Sequence, residues 1–281
     1  MRTHVHDDDA AGAGWRLPLL RSELLVAPFA HGFSTRAGGT SPPPFDSLNL
    51  GAKWGDTAAT VAENRRRLAS AVGVAGPIYV ARQVHGASVA VVRAGDDPSA
   101  IAAIEADALC SDDARVALGV FVADCVPALI VDPRSGAFAA VHAGWRGTVA
   151  GVLPAAVRAL ADRFGARPGD LRVALGPSIG HCCFEVGGDV VAAFASALAG
   201  APVPDAAAGP GVVHVSPRGV PDKWHVDLRL ANRLLLERAG VAPDAIDAAA
   251  DCTHCDRPRF YSYRRDRDRT GQQMGVVVRA G

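Results

Sequence analysis

Between Arg115 and His142 the chain carries three short apolar runs, Arg115 to Ala123, Ala128 to Asp132 and Ala137 to His142, separated by only a few residues. Runs this short and continuous read as strands buried on both faces, since a half-exposed strand would alternate and a helix would need more length. The sheet they build must be covered, which limits the fold more than any other feature. Ile78 to Arg82, Ser88 to Arg93, Leu171 to Leu175, Arg259 to Arg264 and Met274 to Val278 read as further strands. Leu24 to Arg36 is a strand-like run ending at the Gly38-Gly39 turn.

Helices fall irregularly among these strands. Asp56 or Thr57 can cap one running to Val72, and Asp227 can cap another running to Ala239. A third covers Gly188 to Leu198, and a fourth should run from about Trp145 to Phe164. Pro154 either restarts that last helix in its first turn or kinks it. Clustered strands with irregular helices fit an α+β fold better than strict βαβ alternation. No linker divides the chain, so one domain is expected over residues 15–281, behind an acidic, aperiodic tail at residues 1–14 that should be disordered.

Composition narrows the function. With 49% hydrophobic residues over 281, a large core is available without disulfide staples. A formal net charge of zero gives no case for nucleic acid or an anionic membrane as partner. Asp7-Asp8-Asp9 stands where a secretory signal needs apolar residues, and charge interrupts every apolar run before it could span a bilayer. A cytoplasmic protein, acting as a monomer, is expected, with its six cysteines as thiols or ligands. Lys53 and Lys223 are the only lysines, which disfavours Schiff-base chemistry.

Three segments place a metal-ligand side chain at the end of an expected strand: Arg82-Gln83-Val84-His85-Gly86, Val122-Ala123-Asp124-Cys125 and Val141-His142-Ala143-Gly144-Trp145-Arg146-Gly147. Imidazole and thiolate suit zinc, and three protein ligands leave a fourth position open, as in catalytic sites. Spacing alone leaves open that these histidines are satisfied core residues.

These strings, with VADCVPALIVDP, AAVHAGWRGT, LGPSIGHCCFEV and the C-terminal DCTHC, RFYSYRRD and TG, resemble the YfiH-like family, also catalogued as laccase-domain or polyphenol oxidase proteins. The resemblance runs in order from Gly32 to Val278. It implies a compact α+β domain of layered sheets flanked by helices, with zinc on His85, Cys125 and His142. It implies phosphorolysis of adenosine, inosine and methylthioadenosine, with deamination of adenosine, so the partners are purine nucleosides and phosphate. The pattern departs at Thr270-Gly271-Gln272, where family members often carry arginine. Any anion-binding role of that arginine then falls to Arg264, Arg265 or Arg269, or is weakened.

The chemistry makes its own demands. Deamination needs a nucleophilic hydroxide, which zinc provides by lowering the pKa of water to about 7. Phosphorolysis needs a phosphate near the ribose, and the turn Gly144 to Gly147 leads into a helix whose N-terminus favours anions. Arg146 either adds a bidentate contact or packs locally. Asp107 and Asp124 are candidates to protonate the leaving base, or else are turn residues. Substrate contacts are expected from Arg82, Gln83, Asp107, Ser178 and Arg264.

Other signals point elsewhere. Gly176-Pro177-Ser178-Ile179-Gly180 matches a hydrolase elbow, but no helical pattern follows, and the glycines fit a loop near the metal. Cys252-Thr253-His254-Cys255 lacks a second pair at zinc-site spacing and reads as a structural turn; Cys182-Cys183 reads as loop packing, with one thiol a candidate for the pocket wall. A multicopper oxidase needs about ten histidines in paired motifs. This chain has nine, and its one HxH is His4-Val5-His6 in the tail. Two rivals stand beside the zinc enzyme: a cysteine hydrolase using Cys125 with His142 or His85, as in the similar fold of cytotoxic necrotizing factor, and a non-catalytic module binding a nucleotide or partner.

Overall fold

A computed structural model describes residues 1–5, 17–199, 211–216 and 220–280. In chain order the elements are β1 (Arg2–Val5), β2 (Pro18–Arg21), β3 (Phe29–Ser34), α1 (Ala58–Val72), β4 (Ile78–Tyr79), β5 (Val89–Val91), α2 (Pro98–Ala103), β6 (Ala108–Ser111), β7 (Ala117–Val122), β8 (Val126–Val131) and β9 (Phe138–Ala143). There follow α3 (Trp145–Val149), α4 (Val152–Phe164), β10 (Arg172–Leu175), β11 (Glu185–Val186), α5 (Gly188–Ala197), β12 (Val213–Val215), β13 (Trp224–Val226), α6 (Leu228–Arg238), β14 (Ile246–Ala248), α7 (Tyr263–Asp266) and β15 (Gln273–Arg279).

Two six-stranded mixed sheets carry the fold. The first has the order β1-β2-β3-β15-β7-β4 and the second β14-β10-β8-β9-β6-β5; β11, β13 and β12 form a small third sheet. Strand alternation distributes the side chains. Leu129 and Val131 of β8, Phe138 and Ala140 of β9, Leu118 and Val120 of β7 and Val277 of β15 meet in one apolar layer between the large sheets. Val126, Ala128 and Ile130 point the other way, onto Leu153, Val157 and Leu160 of α4 and Leu235 and Leu236 of α6. On the outer face of the first sheet, Met274, Val276 and Val278 pack on Leu68, Ala71 and Val72 of α1. The result is the α+β domain of layered sheets between helices, and it explains why β8 and β9 are apolar on both faces.

Several boundaries differ from expectation. The helix from Trp145 is two helices, because Gly151 takes φ 81° and ends the first. Pro154 then sits in the first turn of α4, where no backbone donor is needed. Arg259 to Arg264 is not a strand. Phe260 and Tyr261 are both buried, as in a core strand, but the amide of Gln273 pairs with both backbone groups of Tyr261 (3.0 and 3.1 Å) in place of a neighbouring strand. Ser262 then caps α7. In the tail expected to be disordered, Arg2–Val5 pairs antiparallel with Pro18–Arg21; residues 6–14 lie outside the described residues. Among the described residues no helix is long and apolar enough to cross a membrane.

Candidate metal centre and pocket

The chain crosses between the two large sheets twice near one end of the sandwich. The corner Ala123-Asp124-Cys125 joins β7 to β8, and the segment from Val80 to Ser88 joins β4 to β5. His142 lies near the end of β9 in the second sheet. These crossings bring His85, Cys125 and His142 together with ligand atoms within 4.8 Å of one another. Cys125 Sγ is 4.0 Å from His85 Nε2, and the two imidazole rings meet edge to face at 4.9 Å.

Two carboxylates hold this geometry, each behind the wall of the pocket. Asp107, 1% exposed, accepts from the backbone N–H groups of Val84, His85 and Gly86 at 3.1, 2.9 and 2.7 Å. That clamp holds His85 at φ 62°, a left-handed conformation that a side chain rarely adopts. Asp107 Oδ1 also lies 2.7 Å from Nδ1 of His142, which fixes that nitrogen as the proton donor and leaves Nε2 for a ligand. Asp124, at φ 91°, accepts from Thr253 Oγ1 (2.6 Å), Ser262 Oγ (3.0 Å) and the Arg264 backbone N–H (2.6 Å), which pins the corner presenting Cys125.

The electrostatics follow from this packing. Burial would push the Cys125 thiol up, but the charge and hydrogen bonds of His142 and His85 outweigh it and bring it down to about 6. Burial pulls His142 down, yet Cys125 and Asp107 together raise it to about 9. For Asp107, burial is outweighed by His142 and the N–H groups of Gly86 and Val84, which hold the carboxyl below its usual range.

The three side chains open into a cavity of about 450 Å³. Its other lining residues include Lys53, Trp54, Gln83, Phe121, Arg146, Tyr263 and Gln272. Trp54 and Tyr263 stack at 5.6 Å and 20°. Gly144 is required by closeness rather than by backbone angle. A Cβ there would fall 2.8 Å from the His85 ring and 2.9 Å from Cys125 Sγ, against two of the three ligands.

Several sequence expectations are corrected. Arg82 points out to an ion pair with Glu105 (2.7 Å). Gln83 reaches the pocket wall, but both ends of its amide are used on the Phe121 backbone (2.8 Å each), extending the β4–β7 pairing by a side chain. Asp107 and Asp124 are supports behind the wall, not proton donors facing it. Ser178 is fully buried, and no helix follows its strand as a hydrolase elbow requires. Arg264 lies over Phe184 and donates to the Glu185 carbonyl (2.8 Å), while Arg265 is spent on the carbonyls of Thr253, His254 and Phe260. Arg269 lines a different cavity with Arg36 and Arg257. None of the three thus replaces the family arginine. Gln272 itself lines the pocket, and the cations there are Arg146, over the Trp145 ring, and Lys53, over Trp54. Lys53, Trp54 and Tyr263 are lining residues that the sequence does not mark as part of the site, beyond Lys53 being one of only two lysines; Gln272 it marks only as the departure from the family arginine.

The donor set fits a metal on this structure's own terms: two imidazoles and a thiol converge, one imidazole is oriented by a carboxylate, and a glycine keeps the space clear. Comparison with known proteins agrees in extent. The sequence model for a family described as multi-copper polyphenol oxidoreductase laccase matches residues 30–280. A purine nucleoside phosphorylase of Deinococcus radiodurans is 41% identical over 93% of this chain and 92% of its own. The crystal structure of YlmD from Geobacillus stearothermophilus superposes with a TM-score of 0.83 at 35% identity, over 94% of this chain and 96% of that one. That of YfiH from Bacillus licheniformis gives 0.77 at 30%, over 89% and 92%. The family match takes in the second large sheet, the first from β3 onward and all three candidate ligands, and the chain belongs to this YfiH-like, laccase-domain family.

Proposed function

We propose that the chain is a zinc-dependent purine nucleoside phosphorylase that cleaves adenosine, inosine and methylthioadenosine with phosphate and also deaminates adenosine. The observation that carries this reading is the convergence of His85, Cys125 and His142 on the wall of a cavity that also holds aromatic rings and two cations. Relatives 37–43% identical to this chain are named purine nucleoside phosphorylases, which points the same way.

In phosphorolysis a phosphate oxygen attacks C1′ of the ribose, the bond to the base breaks, and the departing base takes up a proton. Trp54 and Tyr263 supply an apolar surface on which a purine can stack. Lys53 and Arg146 supply positive charge to bind the phosphate dianion and to orient it toward the sugar. Apolar lining from Ala81, Phe121 and Val122 keeps water away from C1′. Asp107 holds His142 and His85 in place throughout. Zinc held by His85, Cys125 and His142 would supply Lewis acidity near neutral pH, the property on which deamination depends most.

A second reading draws on the low thiol pKa: Cys125 as nucleophile, His142 as base and Asp107 as its orienting group. Incubating the purified protein with inosine, with and without phosphate, tests the first reading. Phosphate-dependent release of hypoxanthine and ribose 1-phosphate supports it, whereas no release with any purine nucleoside sinks it. Iodoacetamide labelling of Cys125 separates the second: blockage by zinc favours the metal reading, and labelling indifferent to zinc favours the nucleophile.

A further inference from the structure

The parallel pair β10 and β14 ends with both strands pointing the same way, so the turns that follow them lie side by side. The pairing continues past the strands through a bridge between Ser178 and Cys252, with the Thr253 N–H donating to the Ser178 carbonyl at 3.0 Å. One turn carries Cys182-Cys183 and the other Cys252-Thr253-His254-Cys255. The CxxC that lacked a second pair in sequence therefore has one in space, from residues about seventy positions earlier, which corrects the reading of these cysteines as separate turn and packing residues.

All four sulfurs lie within 4.8 Å of one another. Cys255 Sγ is 3.3 Å from Cys183 Sγ and 3.7 Å from Cys182 Sγ, and every cysteine is a free thiol. A tetrahedral zinc with Zn–S bonds of about 2.3 Å sets its sulfurs roughly 3.8 Å apart. The two Cys255 distances lie at and somewhat below that value, and no other pair of the four exceeds 4.8 Å. The Gly180 N–H donates to Cys252 Sγ at 3.2 Å, the kind of backbone contact that supports a ligating thiolate. Positive charge stands close by: Arg229 donates to the carbonyls of Ala249 and Asp251, just before Cys252, and Arg265 donates to those of Thr253 and His254, inside the CxxC.

We propose that Cys182, Cys183, Cys252 and Cys255 form a second metal site, a closed four-thiolate site for zinc, separate from the pocket. Binding one Zn²⁺ releases the four thiol protons to solvent and leaves a net charge of −2, which Arg229 and Arg265 offset. Its role is bracing. Thr253, between two of the ligands, holds Asp124, and Asp124 pins the corner that presents Cys125. A metal here would fasten the turn after β10 to the turn after β14 and so stiffen one support of the pocket.

The test is zinc content per chain, measured by mass spectrometry on reduced, purified wild type and on Cys182→Ser and Cys255→Ser. The proposal expects each variant to carry one zinc fewer than wild type, whatever the other centre holds, and cobalt-loaded wild type to lose the absorption of a four-sulfur tetrahedral site in each variant. Equal zinc in all three proteins overturns it. Mapping alkylation on wild type alone covers the case in which a variant does not fold. Cys182, Cys183, Cys252 and Cys255 should resist iodoacetamide together until a chelator is added. Labelling without chelator, or a disulfide joining any two of them in reduced protein, overturns it.

Discussion

Asp107 Oδ1 lies 2.7 Å from His142 Nδ1, and the same carboxylate accepts the backbone N–H of His85, so one buried side chain sets the position of two candidate ligands. Its substitution therefore tests whether the two histidines act as a unit. Asp107→Asn presents an amide donor to N–H groups that need an acceptor. Zinc affinity at the pocket should fall about tenfold to a hundredfold, and stability by about 1–3 kcal/mol from the unsatisfied donors. Zinc competition with a chromophoric chelator and a denaturant melt read the two effects; no change in either would remove Asp107 from this role.

Gly144→Ala puts a methyl between His85 and Cys125, at 2.8 and 2.9 Å. The backbone there is ordinary, with φ −74°, so no backbone strain accompanies the change. Loss of zinc from the pocket and of nucleoside cleavage is expected, at a stability cost of roughly 1–3 kcal/mol from overpacking. A variant that retains zinc and full turnover would show that the space between the ligands is not used.

Lys53 and Arg146 should act on phosphate rather than on the base. Replacing either with alanine should raise the KM for phosphate roughly tenfold to a hundredfold, the worth of a charge-assisted hydrogen bond. The KM for inosine should change far less. Initial rates over a grid of both substrates check this, and an unchanged phosphate KM would move the anion site elsewhere.

Tyr261 provides a pH signature. Its hydroxyl donates to the Phe45 carbonyl at 2.6 Å, and burial raises its pKa well above the ordinary value near 10. The folded phenol stays protonated where the unfolded chain has lost its proton. Its stabilising contribution is full below pH of about 10 and is lost as the pH rises from there toward the folded-state pKa. Urea melts should show a steeper alkaline loss in wild type than in Tyr261→Phe, by about 1.4 kcal/mol per pH unit. Equal slopes would contradict the assignment.

The sequence made the buried strands β7, β8 and β9 legible because each is apolar on both faces, and it marked His85, Cys125 and His142 because each sits in a long motif, although only Cys125 and His142 lie at a strand end and His85 falls in the segment between β4 and β5. It misled at Phe260 and Tyr261, where buried neighbours imitate a strand and the pairing partner is the Gln273 side chain. Gln83 hid in the same way, as an amide doing the work of a strand edge. Lys53, Trp54, Tyr263 and Gln272 share no local pattern: the first two come from the loop before α1, Tyr263 from the start of α7 and Gln272 from the residue before β15, and they line one pocket only in the folded chain. Arg82 and Arg264 are expected to contact substrate, but their ion-pair and carbonyl partners, which the sequence does not show, hold them elsewhere.

The central claim is that chemistry depends on a metal held by His85, Cys125 and His142. The most direct measurement is phosphate-dependent cleavage of inosine by Cys125→Ala, read beside its zinc content and thermal melt. The three ligands come from separate elements of a fold whose apolar layers form without them, so the variant should melt cooperatively. It should carry one zinc fewer than wild type and lose most of its activity. A folded Cys125→Ala with wild-type zinc and wild-type turnover would contradict the account.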